Sequence, residues 1–235
     1  MSMVSGSPGF ESSVNLLTAL QHGDSFFPGG GVAFSHGLET LHAEDRLQSG
    51  ADLERFLLEQ LRGRWAGCDR AVLVAAYRAG DDLAAVAVAD RALEAATLPQ
   101  ELREGSRRSG LALLGIHRQL GTRNAAAYHQ TVSGGASPGH LAVCQGLLWR
   151  GAGLTVDEAV AAAAHVLGVG VLGAAIRLGV VGAVEGQRLL LAVRPAIVGV
   201  LAQQPPEIHA LASYAPLVEV GAMRHEELGS RLFAN

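Results

Sequence analysis

Apolar residues recur along most of this chain at spacings of three and four, the period of an amphipathic helix rather than of a strand. Leu53, Phe56, Leu57, Leu58 and Leu61 form one such stripe within residues 52–65, and residues 70–78 resume it after a break expected near Gly67. Residues 83–96 predict another helix. Pro99 stands at a first helical position with Glu101 and Glu104 in the opening turns and Leu111, Leu113, Leu114 and Leu120 beyond, so a helix is expected to about Leu120, where Gly121 stops it. Shorter helices are expected over residues 14–21 and 124–132, and the turn at 28–31 leads into a further one through about Leu41. Helices over 140–151 and 186–203 follow, the last kinked at Pro195 and ended by Pro205 and Pro206. Thr155 and Glu158 make a capping box ahead of a long apolar segment, and residues 133–139 read as a Gly/Ser/Pro loop. Valine-rich pieces near 180 and 193–200 lack the paired turn signals of strands. The pattern predicts an all-α, single-domain helical bundle of about eight to ten helices. It divides into a flexible N-terminus (1–13), a helical domain (14–222) and a C-terminal tail (223–235), to which the resemblance described below gives a partner-binding role.

Residues 159–176 are nearly uncharged and approach the ~20 residues a membrane span needs. They are mostly Ala and Gly, include His165, lead directly to Arg177, Glu185 and Arg188, and have no aromatic belt. A helix buried on all sides of a bundle fits them better. Composition agrees: 49% of residues are apolar and only 5% aromatic, which suits close helix packing. Net charge is −4 with signs interspersed, so the electrostatic footprint of a nucleic-acid binder is missing. All 18 basic residues are arginine, which excludes a Walker A phosphate lysine, a Schiff-base lysine and a Ser-x-x-Lys nucleophile. Cys68 and Cys144 form no C-x-x-C and sit in apolar helical patterns, as buried free thiols do. No basic and apolar leader opens the chain, and a reducing cytoplasm is the expectation.

Several groups of residues invite a chemical reading. Pro28, Gly29, Gly30 and Gly31 precede a helix as an anion cradle does, but match no nucleotide fingerprint, and a structural tight turn is preferred. Ala33-Phe34-Ser35-His36-Gly37 is one residue from a hydrolase nucleophile elbow, which makes a serine hydrolase-type enzyme using Ser35 the alternative function; the strand such an elbow needs is not predicted, and a Ser35 packed in a helix is preferred. His36, Glu39 and His42, at i, i+3 and i+6, share a broad helix face. One Glu-x-x-His does not make a di-iron bundle, so no permanent metal is expected, and transient contact by His36 or His42 stays open. Arg103, Arg107 and Arg108 with Glu101 and Glu104 form a charged face suited equally to solvent and to an interface rim. In the tail, Glu226 and Arg231 are polar and Leu228, Leu232 and Phe233 apolar, a set that can dock on its own core or on another protein.

Pro28-x-Gly30-Gly31-Val32-x-x-Ser35-x-Gly37-Leu38-Glu39 and His225-Glu226-x-Leu228-x-x-Arg231-Leu232-Phe233 together resemble the identifying segments of the UreF family of urease accessory proteins. Three further blocks are similar to the family in order: Glu101-Leu102-Arg103 before Gly110-x-x-Leu113-Leu114, His140 before Gly146-Leu147-Leu148, and Arg177-Leu178-Gly179 before Gly186-Gln187. The resemblance implies an all-helical, usually homodimeric protein with no catalysis and no cofactor of its own. Such proteins bridge the UreD/UreH scaffold and the UreG GTPase to activate apo-urease, nickel being handled transiently by the complex and GTP bound by the partner. It assigns Glu226, Leu228, Arg231, Leu232 and Phe233 to the scaffold, and Gly29, Gly30, Gly31, Ser35, Gly37 and Glu39 to the dimer and GTPase-facing region, with gating of GTP hydrolysis and a nickel channel among the proposed roles. Neither nucleic acid nor membrane is an expected partner. The chain departs from the family at Gly179-Val180-Val181-Gly182-Ala183, where Gly-Pro-Leu-Gly-Gln is common, at His140-Leu141-Ala142 in place of His-x-Pro, and at Glu219-Val220 in place of Asp-Ile. A polar role near Ala183 is therefore not carried over.

Overall fold

Eleven α-helices and no strand form among the residues described by the computed structural model, which are 8–29, 34–229 and 231–233. They are α1 (Pro8–Gly23), α2 (Leu38–Ala43), α3 (Gly50–Glu59), α4 (Arg70–Ala79), α5 (Leu83–Ala96), α6 (Gln100–Gln119), α7 (Ala125–Ser133), α8 (Leu141–Gly151), α9 (Val156–Arg177), α10 (Ala183–Leu201) and α11 (Pro216–Arg224). The all-α expectation holds, and α5 has the span read from periodicity. The first helix starts at Pro8, inside the segment expected to be flexible, and residues 1–7 of that segment lie outside the described ones. Helix α10 continues through Pro195, whose missing N–H falls on the exposed side. Both segments where strands were considered are helix or turn.

Caps fix where the helices begin. Thr155 accepts the N–H of Glu158 while the Glu158 carboxylate accepts that of Thr155, completing the predicted box. Ser49 and Asp52 make the same exchange at α3, a second box that the helical stripe alone does not show.

The expected break near Gly67 is not a break. Gln60–Asp69 is π-helical and joins α3 to α4 without interruption. The cause lies in residues 212–214, which cross this run: the Tyr214 N–H donates to the Gly63 carbonyl at 2.8 Å, and the Ala212 N–H to Gly67 at 3.3 Å. A Cβ at position 63 would sit 2.1 Å from the Tyr214 carbonyl oxygen, so only glycine admits the crossing chain. A widened helix has carbonyls free to accept from a neighbour.

Two apolar clusters fill the bundle. One gathers Leu73, Leu114, Tyr128, Leu147 and Trp149 between α4, α6, α7 and α8. The other gathers Leu38, Phe56, Leu190, Val218 and Phe233 between α2, α3, α10, α11 and the tail. Helix α9 serves both, with Ala159, Val160, Ala163 and Ala164 in the first and Val171, Leu172, Ala174 and Ala175 in the second. That double duty explains why α9 is apolar on nearly every side. It is the one helix among the described residues long and apolar enough to cross a membrane, and more than half of its apolar stretch is buried in the bundle.

A polar clamp sets the end of the 133–139 loop. Asp90, fully buried on α5, accepts from Tyr128 Oη at 2.7 Å, Ser137 Oγ at 2.7 Å, and the N–H groups of Gly139 and His140 at 2.6 and 2.9 Å. Four donors on one carboxylate offset its desolvation.

Candidate partner-binding site

The two terminal segments singled out in the sequence meet inside the protein. Gly37, at φ 83°, packs backbone to backbone on α11, and a Cβ there would lie 2.7 Å from the Ala222 nitrogen. This contact places α2 so that Glu39 points inward. Its Oε1 accepts the Leu232 N–H at 2.5 Å, while Oε2 accepts the Phe233 N–H at 3.2 Å and faces His225 Nε2 at 2.9 Å. The other nitrogen of His225, Nδ1, lies 3.0 Å from Glu101 of α6. His225 thus sits between two carboxylates, with one ring nitrogen facing each. Arg231 approaches Glu101 at 3.8 Å, and the Arg177 guanidinium covers the Phe233 ring at 4.2 Å.

This arrangement sorts the tail residues. Phe233 is 4% exposed and belongs to the core, whereas Leu232 is 63% exposed. Glu226 and Arg231 are exposed and Leu228 is half-buried. On α11, exposed Val220 and Met223 lie one turn apart, beside Arg224, which pairs with Glu44 at 2.9 Å.

Of the N-terminal residues, Gly29 is half-buried and its N–H donates to the Phe27 carbonyl at 2.7 Å; Gly30 and Gly31 lie outside the described residues. Ser35 is fully buried, and its Oγ accepts the Glu39 N–H at 3.4 Å. It precedes α2 rather than sitting within a helix, and no strand feeds it as a nucleophile elbow requires. His36 has φ 54° and also precedes α2, so it does not share a helix face with Glu39 and His42. Burial, and secondarily the charge of Arg64, pulls its pKa down to about 4. His42 Nδ1 instead closes the turn after α2, 3.1 Å from the Leu47 carbonyl. Among the described residues no three His, Cys, Asp or Glu side chains converge as a metal site. Arg103 and Arg107 are engaged by Glu94 and Arg108 by Glu104, so this face is internally paired. Cys68 and Cys144 are buried free thiols, both pushed up by desolvation.

Behind the site lie two chambers, of about 120 and about 290 Å³, that share Leu141, Gln145, Val166 and Gly170 in their walls. His36, Arg64, Asp69 and Glu101 line the first; His22, Asp24, Trp149 and Arg177 line the second. Gly170 and Gly173 present no side chain to this space, and a Cβ at either would meet nothing within 4 Å.

One pairing has no signal in the sequence. His22 and His117, 95 residues apart, place their Nε2 atoms 3.2 Å from each other with rings stacked at 5.0 Å. No short motif joins them, and each falls in an ordinary helical pattern.

Residues 47–194 match the protein-family model UreF. Over nearly its whole length the chain is similar to urease accessory protein UreF of Trichodesmium erythraeum (strain IMS101), 37% identical over 228 residues covering 93% of this chain and 96% of that protein. It is 32% identical to urease accessory protein UreF 1 of Brucella melitensis biotype 1, over 97% of this chain and 96% of that protein. Identity to the UreF of Actinobacillus pleuropneumoniae serotype 3 is 30%, over 92% and 98%.

Proposed function

The chain belongs to the UreF family, and from that membership we propose that it is a non-catalytic urease maturation factor bridging the UreD/UreH scaffold and the UreG GTPase during activation of apo-urease. It works in the cytoplasm as a homodimer and holds no cofactor. Nickel is the cargo of the complex, and GTP belongs to UreG.

The observation that carries this reading is the docking of the tail on Glu39 and Glu101. Fixing residues 231–233 by two backbone hydrogen bonds and a buried ring leaves Leu232 pointing outward on a rigid base, flanked by Arg231 and near Glu226 in the chain. An exposed leucine held this way loses little conformational entropy when a partner covers it, and its burial contributes roughly 1–2 kcal/mol. In this scheme Glu226, Leu228, Arg231 and Leu232 contact the scaffold. Phe233 and Glu39 set their position from inside, and Gly29, Ser35 and Gly37 belong to the face toward the dimer and UreG, to which family membership also assigns Gly30 and Gly31. We assign the nickel route that family membership implies to these chambers, past His36 and Gly170.

The test is a pull-down and size-exclusion run with scaffold and GTPase, comparing the intact chain, a chain ended after Ala222, and Leu232→Asp. Loss of the complex in both variants, with helical content kept in Leu232→Asp, supports the adaptor role. If the intact chain binds neither partner, the role is wrong.

A further inference from the structure

His22 lies near the end of α1 and His117 near the end of α6, and both are buried, at 7% and 1% exposed. Their ring planes differ by 18°. The separation of the rings narrows from 5.0 Å at the centroids to 3.2 Å at the Nε2 atoms. The 3.2 Å between the two nitrogens is the spacing of two ligands that each stand one imidazole–metal bond (~2.0–2.1 Å) from a shared ion at a near-tetrahedral angle. A straight N–H···N bond of the same length would hold the ring centres farther apart.

The proton inventory agrees with the geometry. His22 Nδ1 lies 2.7 Å from the Thr18 carbonyl, which only accepts, so Nδ1 carries the proton and Nε2 of the neutral ring bears a lone pair. His117 Nδ1 lies 2.9 Å from Thr122 Oγ1, a hydroxyl able to donate or accept, so this ring can hold its proton on either nitrogen. Metal-ligating histidines almost always have such a partner behind the ligating nitrogen. Burial lowers the pKa of both rings, His117 to about 4, so protons do not compete at neutral pH. Phe27 and Trp149 pack against the His22 ring, which also borders the larger chamber together with Asp24 and Ser25.

We infer that His22 and His117 form a two-histidine site for a borderline divalent transition-metal cation, completed by water from the adjoining chamber. Without metal, His117 Nε2–H donates to His22 Nε2. When the cation binds, the His117 proton moves to Nδ1 and is donated to Thr122 Oγ1, whose own hydrogen turns away. Both Nε2 lone pairs then bond to the ion, and no proton leaves the protein. Two protein ligands suit an ion that must leave again. The site needs no partner protein, so it stands or falls apart from the bridging role.

Co²⁺ and Zn²⁺ are titrated into the intact chain alone, followed by calorimetry and by the visible bands of Co²⁺. The expected result is one ion per chain, with a binding heat independent of the buffer's ionisation enthalpy. Affinity should fall at least about tenfold in His22→Gln and in His117→Gln, and stay unchanged in His209→Ala, on the surface. Absence of binding at millimolar ion, or parental affinity in the two folded Gln variants, overturns the site. Should those variants lose their helical signal, imidazole ¹⁵N spectra of the intact chain decide. Zn²⁺ moving the Nε2 resonances of His22 and His117 supports the site, and Zn²⁺ moving only other histidines overturns it.

Discussion

Glu39 and His225 stand 186 residues apart in the chain and 2.9 Å apart in the protein. Glu39 also receives the last two described N–H groups of the tail, so one carboxylate holds both ends of the site together.

Glu39→Ala leaves His225 facing Glu101 alone and the N–H groups of Leu232 and Phe233 without their acceptor. Breaking a buried pair on one side costs about 3–5 kcal/mol, which lowers the melting temperature by roughly 6–20 °C in a domain of this size. Thermal melts measure the loss. Limited proteolysis should cut near Leu232 in the variant before it cuts the parent; simultaneous loss of the whole domain would show instead that Glu39 holds up the core.

Asp90→Ala removes the acceptor of four buried donors and should cost at least about 3 kcal/mol in urea unfolding. Amide exchange at Gly139 and His140 should accelerate more than exchange in α9.

The histidines set a pH dependence. Buried neutral in the folded chain and titrating near 6.5 when unfolded, His117 makes the unfolded state bind the extra proton between about pH 6.5 and 4. Stability therefore falls with pH across that window, by roughly 3 kcal/mol from this ring, with His36 and His22 adding in the same direction. Urea midpoints measured at several pH values should follow this slope, and His117→Gln should flatten it.

Gly170→Leu places a side chain in the wall common to both chambers, where a Cβ meets nothing. The helix gains up to about 1 kcal/mol from the better propensity. Partner binding should persist while nickel delivered to urease falls. Full delivery by the plugged variant would remove the chambers from the path.

The helices were legible because burial by α-helical faces leaves a local period, as in α5, and because caps such as Thr155 and Glu158 are local too. What escaped is non-local. The π-helical run at Gln60–Asp69 is read as a break because its widening answers a chain segment some 150 residues later, at Ala212 and Tyr214. His36, Glu39 and His42 share a face only if the helix starts before His36, and the positive φ of His36 and Gly37 delays it to Leu38. The tail residues were recognised as a set, yet only the position of Glu39 determines that Phe233 turns in and Leu232 turns out. His22 with His117, and Asp90 with the 133–139 loop, are pairings at a distance that no window of sequence reports.

The fastening of α2 by residues 225–233 also orders events in time. A chain leaving the ribosome makes Glu39 early, but its acceptor sites stay unfilled until Phe233 has been added, 194 residues later. At about 5–20 residues per second that interval is roughly 10–40 s. Residues made 186 to 194 positions later complete the neighbourhood of α2, so a chain that stops before His225 keeps the carboxylates of Glu39 and Glu101 buried without the histidine that lies between them.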